Sequence, residues 1–178
     1  APFGLRPAYH PSGQVRPVAM TIATGYATAI YENQPIKVVA AGSIEAAAVG
    51  DRFLGVLTGV EWTDANGRRQ VSNRWTASTT GTDIVAYVTE DPAIIYEIQS
   101  NAALNLADIG EQFDFSAASG NATVGISSQT LDVASTAANA SVRFLGITPG
   151  PNNAYGDTYV IAQVQISEHQ YVADVAAI

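Results

Sequence analysis

Two histidines, His10 and His169, come first among residues to weigh for chemistry, because general bases and metal ligands are so often histidines. They stand in opposite terminal segments, and neither lies near a serine or aspartate in a recognised nucleophile pattern. Glu90-Asp91 is the most visible carboxylate pair, the kind a glycosidase uses, but it stands in a turn beside Pro92, where acids are ordinary. Asp64-Ala65-Asn66-Gly67 resembles the start of a calcium loop. No glutamate follows at the closing position, and a hairpin turn is the stronger reading. No glycine-rich phosphate loop precedes a helix. The chain has no cysteine, hence no thiol chemistry, disulfide or cysteine zinc site. Asn121-Ala122-Thr123 and Asn139-Ala140-Ser141 match glycosylation sequons, which arise often by chance in chains this rich in Asn, Ser and Thr. The pattern points away from an enzyme and implies no metal or other cofactor.

Two groups of residues suit binding better. Trp62, Arg68, Arg69, Arg74 and Trp75 fall within fourteen positions, across an expected hairpin and its exit. Tryptophan and arginine dominate interface energetics, so the group is a candidate subunit interface. The same residues build carbohydrate platforms. A third reading puts the tryptophans in the core with the arginines on its rim. The other group is the N-terminal segment, where Pro2, Pro7, Pro11 and Pro17 forbid a helix and favour an extended chain. Phe3, Leu5, Tyr9, Val15, Val18 and Met20 make that segment too apolar to stay in water alone. It reads as an arm over residues 1–25, laid on a partner through Phe3, Leu5, Arg6, Tyr9, His10, Arg16 and Met20. The competing reading is a tail that packs back on its own body.

Composition narrows the class. At 178 residues the chain suits one packed domain plus an arm. Hydrophobic residues are 47% of it, which excludes wholesale disorder. Charged residues are 13%, about half the usual share, as expected of a surface covered by other subunits. A secreted β protein is the plainer reading, which the lack of cysteine weakens. The net charge of −8 argues against nucleic acid as a partner. Its distribution is uneven: Arg6 and Arg16 give residues 1–31 a charge of +2, while six bases against sixteen acids leave residues 32–178 at −10. No apolar run approaches the roughly 20 residues of a membrane helix, and Ala1-Pro2-Phe3 lacks the shape of a signal peptide.

The elements that would position these groups read as strands. Arg52-Phe53-Leu54-Gly55-Val56 recurs as Arg143-Phe144-Leu145-Gly146-Ile147, each an apolar run bounded by turn residues, suggesting matched core strands. Strands are expected at 26–31, 35–40, 52–60, 109–115, 130–134, 141–148 and 159–167. Residues 60–63 and 68–71 form a hairpin around Asn66-Gly67. Residues 83–88 and 93–99 form a second around Thr89-Glu90-Asp91-Pro92. Segments 43–49 and 101–108 each suit a single helical turn. The fold class is therefore all-β, a single β-barrel or β-sandwich body over residues 26–178 with an extended N-terminal arm.

Particular residues also carry a likeness. Ala1-Pro2-Phe3-Gly4-Leu5-Arg6-Pro7, with Tyr9-His10-Pro11-Ser12-Gly13, resembles the start of small proteins encoded near the major capsid gene of tailed phages. Gly50-Asp51-Arg52-Phe53-Leu54-Gly55-Val56, Gly59-Val60-Glu61-Trp62-Thr63, Ser72-Asn73-Arg74-Trp75 and the Asp91-Pro92-Ala93 turn extend it over roughly the first hundred residues. Such proteins resemble capsid cement, or decoration, proteins. The resemblance implies a virion protein on the outer capsid surface that binds the major capsid protein and braces neighbouring subunits against internal DNA pressure. It implies no catalysis, cofactor, nucleic acid or membrane, and offers the arm as the contact. Self-association is expected as a homotrimer at three-fold positions, or alternatively a dimer. The competing class is a carbohydrate-binding or adhesin-type β module that stacks sugars on Trp62 and Trp75.

Overall fold

The computed structural model describes residues 1–174 and 176–178. In chain order the strands are β1 (Arg6–Tyr9), β2 (Val18–Met20), β3 (Pro35–Val38), β4 (Ile44–Ala46), β5 (Gly55–Thr63), β6 (Arg69–Ser72) and β7 (Thr82–Val88). There follow β8 (Ile95–Gln99), β9 (Gln112–Phe115), β10 (Gly120–Asn121), β11 (Ile126–Ser127), β12 (Leu131–Ala137), β13 (Val142–Ile147) and β14 (Ile161–Ile166), with a 3-10 turn at Leu106–Asp108. One sheet has the order β1-β8-β14-β13-β9-β12 and the other β2-β7-β5-β3-β4, with β6 also on β5. All named pairings are antiparallel, and β10 and β11 form a separate ribbon. The fold is all-β, as expected, with multiple antiparallel sheets, none of which closes into a barrel among the described residues. No helix among the described residues is long and apolar enough to cross a membrane.

Period-two sequence explains the clearest strands. In β14, Ala162, Val164 and Ile166 point into the core while Ile161, Gln163 and Gln165 point outward, as strict alternation requires. The β5–β6 hairpin also forms as expected. Asp64 N–H donates to the Arg68 carbonyl, and Gly67, at φ 76°, donates to the Asp64 carbonyl.

Other elements depart from expectation. Residues 43–49 supply strand β4 rather than a helical turn, because Gly42 (φ 80°) closes a tight turn that buries Ile44 against β3. Among the described residues, 26–31 form a single bridge, Ile30 with Trp75, rather than a strand. The strands β7 and β8 exist where expected, but they do not pair. β7 belongs to one sheet and β8 to the other, so residues 89–94 are a crossover rather than a hairpin loop.

That crossover meets segment 53–57, which leads from β4 into β5 of the same sheet. The segment lies between two cores and its side chains divide: Phe53 and Val56 join Tyr96, Phe113, Phe115 and Phe144 in one core. Leu54 and Leu57 join Ile36, Val60, Trp75 and Val88 in the other. The segment and the crossover touch at Gly55 and Thr89. Val56 N–H donates to Thr89 Oγ1 and Thr89 N–H donates to the Val56 carbonyl, both at 3.0 Å. Thr89 Oγ1 lies 2.9 Å from the buried Tyr96 hydroxyl, so this buried polar atom is satisfied. The recurring motif is thus not structurally equivalent: Leu54 is fully buried whereas Leu145 is exposed, and Gly146 sits at a register shift in β13.

The C-terminal segment fastens the same region. Phe53 N–H donates to the Glu168 carbonyl and Gln170 N–H to the Phe53 carbonyl, each at 3.1 Å. The Gln170 side chain imitates a strand partner for β3, accepting from Val38 N–H at 2.8 Å and donating to its carbonyl at 2.9 Å.

A Cβ at Gly55 would lie 1.9 Å from the Thr89 carbonyl oxygen, whereas one at Gly59, in the same strand, would meet only the Ser72 carbonyl at 3.7 Å. Gly55→Ala is therefore expected to cost about 3 kcal/mol or more and Gly59→Ala under about 1 kcal/mol, measured by urea denaturation.

Candidate functional site

The Trp/Arg hairpin is held by its own side chains. Asp64 Oδ1 accepts from Asn66 N–H and Arg68 N–H, each at 2.9 Å, and Oδ2 accepts from Gln70 Nε2 at 2.8 Å. The Arg68 amide, first among these donors, holds the Asp64 carboxyl below the usual carboxylate range. Arg69 donates to Glu61 Oε1 at 2.6 Å and to the Asp83 carbonyl at 2.8 Å, bridging β6, β5 and β7. That guanidinium likewise keeps the Glu61 carboxyl low.

The tryptophans do not present a platform. Trp75 is fully buried, and Trp62 meets it edge to face with centroids 5.7 Å apart at 72°. Trp62 is half-buried, with the Gly81 backbone against its ring. Trp75 is therefore corrected as an interface or sugar-stacking residue; it belongs to the second core. Arg68 is exposed and Arg74 half-buried, and neither forms an ion pair among the described residues. On the outer face, Val71 and Val85 flank Glu61 across β6 and β7, and Val71 is 77% exposed.

The N-terminal segment packs on its own body. β1 pairs with the outer edge of β8 and β2 with the outer edge of β7, so the first twenty residues run along one margin of both sheets. Leu5 is fully buried in the first core, and Met20 packs against the second. Leu5 is corrected as a contact for another molecule. Phe3 is half-buried, with the Arg6 guanidinium 4.6 Å above its ring. Arg6 also pairs with Glu97 at 2.5 Å. Tyr9 is 48% exposed, and Arg16 is exposed without an ion-pair partner among the described residues.

His10 reaches a group that its sequence neighbourhood does not reveal. Its Nε2 lies 3.2 Å from Asp91 Oδ2 on the β7–β8 crossover, and its Nδ1 lies 2.7 Å from Ser12 Oγ. The order Ser-His-Asp is that of a hydrolase, but Nδ1 also accepts the Ser12 backbone N–H at 3.0 Å. Its in-plane lone pair is thereby engaged in closing the turn, and the ring fastens the segment to the crossover. Residues of both, including Arg16, Glu90 and Ile94, line a groove of about 340 Å³. Among the described residues, no group of three His, Cys, Asp or Glu side chains is arranged to hold a metal ion.

His169 is part of the framework. It is buried, its Nε2 donates to the Glu90 carbonyl at 2.9 Å, and its Nδ1 accepts Tyr171 N–H at 3.1 Å. Both nitrogens are satisfied in the neutral ring, and burial lowers its pKa below the ordinary 6.5. The unfolded chain therefore binds the extra proton first, and His169 contributes stability above pH 6.5 that is lost as pH falls through the lowered folded-state value. The drop in Tm between about pH 7 and about pH 5 should be smaller in His169→Gln, which keeps a donor for Glu90, than in the wild type.

No protein-family model, curated protein or solved structure matches the chain.

Proposed function

We propose that this protein is a cement protein of a tailed-phage head, bound to the outer capsid surface and bracing neighbouring copies of the major capsid protein. In this reading it is a non-catalytic virion component that needs no cofactor, binds neither nucleic acid nor membrane, and self-associates as a trimer or, failing that, a dimer. The observation that carries the reading is the N-terminal margin. A basic, proline-rich segment runs along the edges of both sheets of an acidic body, with Tyr9 and Arg16 turned outward. The low charged fraction of 13% supports it further, since a surface that spends its life covered has little use for charge.

The mechanism is linkage. A protein that binds only across junctions of the expanded shell stabilises that state by mass action, by about 2.7 kcal/mol per site at a hundredfold excess over Kd. Many sites on one shell multiply the effect. Arg16 would meet acidic capsid groups and Tyr9 would supply an amphipathic contact.

Truncating residues 1–20 is no clean test, because Leu5, β1 and β2 belong to the fold. Tyr9→Ser combined with Arg16→Glu changes only outward groups. That variant should co-sediment with expanded heads at least about tenfold more weakly than wild type, with an unchanged Tm. Undiminished co-sedimentation would remove the segment as the contact. Strong binding to a glycan array by the wild type would favour the adhesin class instead.

A further inference from the structure

The first nine residues occupy a slot shaped for them. Leu5 fills the first core, and its N–H donates to the Asn33 carbonyl at 2.8 Å. Asn33, itself at φ 62°, returns a side-chain bond to the Phe3 carbonyl at 3.2 Å. Gly4 fits only as glycine: at φ 73°, its Cβ would stand 2.5 Å from the Asn33 carbonyl and 2.6 Å from Ser127 Cβ. β1 then pairs with the edge of β8, matching Arg6 with Glu97 and Tyr9 with Ile95. The body thus carries a sequence-specific peptide site, and the peptide that fits it is its own.

What joins that peptide to β2 is a mostly exposed segment, in which Val15 packs against the first core. Between Tyr9 and Val15, the residues Pro11, Ser12, Gly13 and Gln14 are all exposed. The turn closes by Gly13 N–H on the His10 carbonyl at 2.7 Å, with Gly13 at φ 85°, and by His10 on Asp91. With the turn open, residues 10–17 extend by about 3.3 Å each, a span of roughly 26 Å. Pro7, Pro11 and Pro17 keep the released chain extended, which lowers the entropy lost when it docks again.

We propose that residues 1–9 exchange between copies: the β1 of one molecule pairs with β8 of the next and its Leu5 fills the neighbour's slot. The slot's contacts are the same in either arrangement, so the balance is set by the turn's own contacts and by local concentration. Copies held side by side reach effective concentrations in the millimolar range, where exchange links them into a continuous network. The exchange needs no shell to occur, so it succeeds or fails independently of the capsid reading.

The absence of cysteine makes a direct test possible. Residues opposed on antiparallel strands suit a disulfide, so Arg6→Cys protein is mixed with Glu97→Cys protein at rising concentration, oxidised, and run on a non-reducing denaturing gel. Exchange yields a mixed covalent dimer well above the collisional dimer of Arg6→Cys alone. Adding Gly13→Ala, whose Cβ meets nothing but whose φ becomes strained, should raise the mixed dimer about fivefold. The chain carrying both cysteines reports an intact slot by closing an internal disulfide when dilute. If it does not close, the pair Tyr9→Cys and Ile95→Cys is read in the same way. Internal closure with no mixed dimer above the collisional level at any concentration would overturn the proposal.

Discussion

The fold depends on one close contact, where the β7–β8 crossover passes segment 53–57 at Gly55 and Thr89. That segment lies between the two cores, Phe53 and Val56 serving the first and Leu54 and Leu57 the second. At the same level the β7–β8 crossover carries the chain from one sheet to the other. A glycine with no Cβ and a threonine whose hydroxyl takes the Val56 amide let both pass without orphaned polar groups. Burial raises the Tyr96 pKa, so that phenol stays protonated beside Thr89 and the contact remains neutral.

Around this contact both chain ends act as fasteners. The C-terminal segment reaches back through Gln170 to Val38 and through His169 to Glu90, touching both segment 53–57 and the β7–β8 crossover. The N-terminal segment covers the margin that the β7–β8 crossover leaves exposed on each sheet. Proline there does two things: it blunts the outer edge against uncontrolled pairing, and it holds the segment extended. The result is a body whose terminal segment is part of the fold yet attached through an exposed turn.

Much of this was legible in the residues, where the signals are local. Asn66-Gly67 between alternating runs specified the β5–β6 hairpin, and the alternation at 161–166 fixed which face of β14 is buried. What was not legible depends on partners distant in the chain. Thr89-Glu90-Asp91-Pro92 has the composition of a hairpin loop, and nothing in it announces that Gly55 lies beneath and sends the chain to the other sheet. Nor does the N-terminal sequence show that Asn33 and Ser127 form a slot for Gly4-Leu5, or that His10 meets Asp91. Trp75 misled for the opposite reason: a tryptophan among arginines is as compatible with a core and its rim as with an interface. Only packing against Ile30 and Trp62 decides between them.

The functional reading turns on the margin where the N-terminal segment lies. Its charge opposes that of the body, its apolar residues are largely consumed by the fold, and a small outward set remains for another molecule. The most direct measurement is electron cryomicroscopy of expanded heads of the cognate tailed phage, stripped of this protein and then incubated with it. The account predicts added density for the β body on the outer surface at junctions between capsid subunits, with residues 1–20 at the contact. Heads that look the same with and without the protein would contradict it.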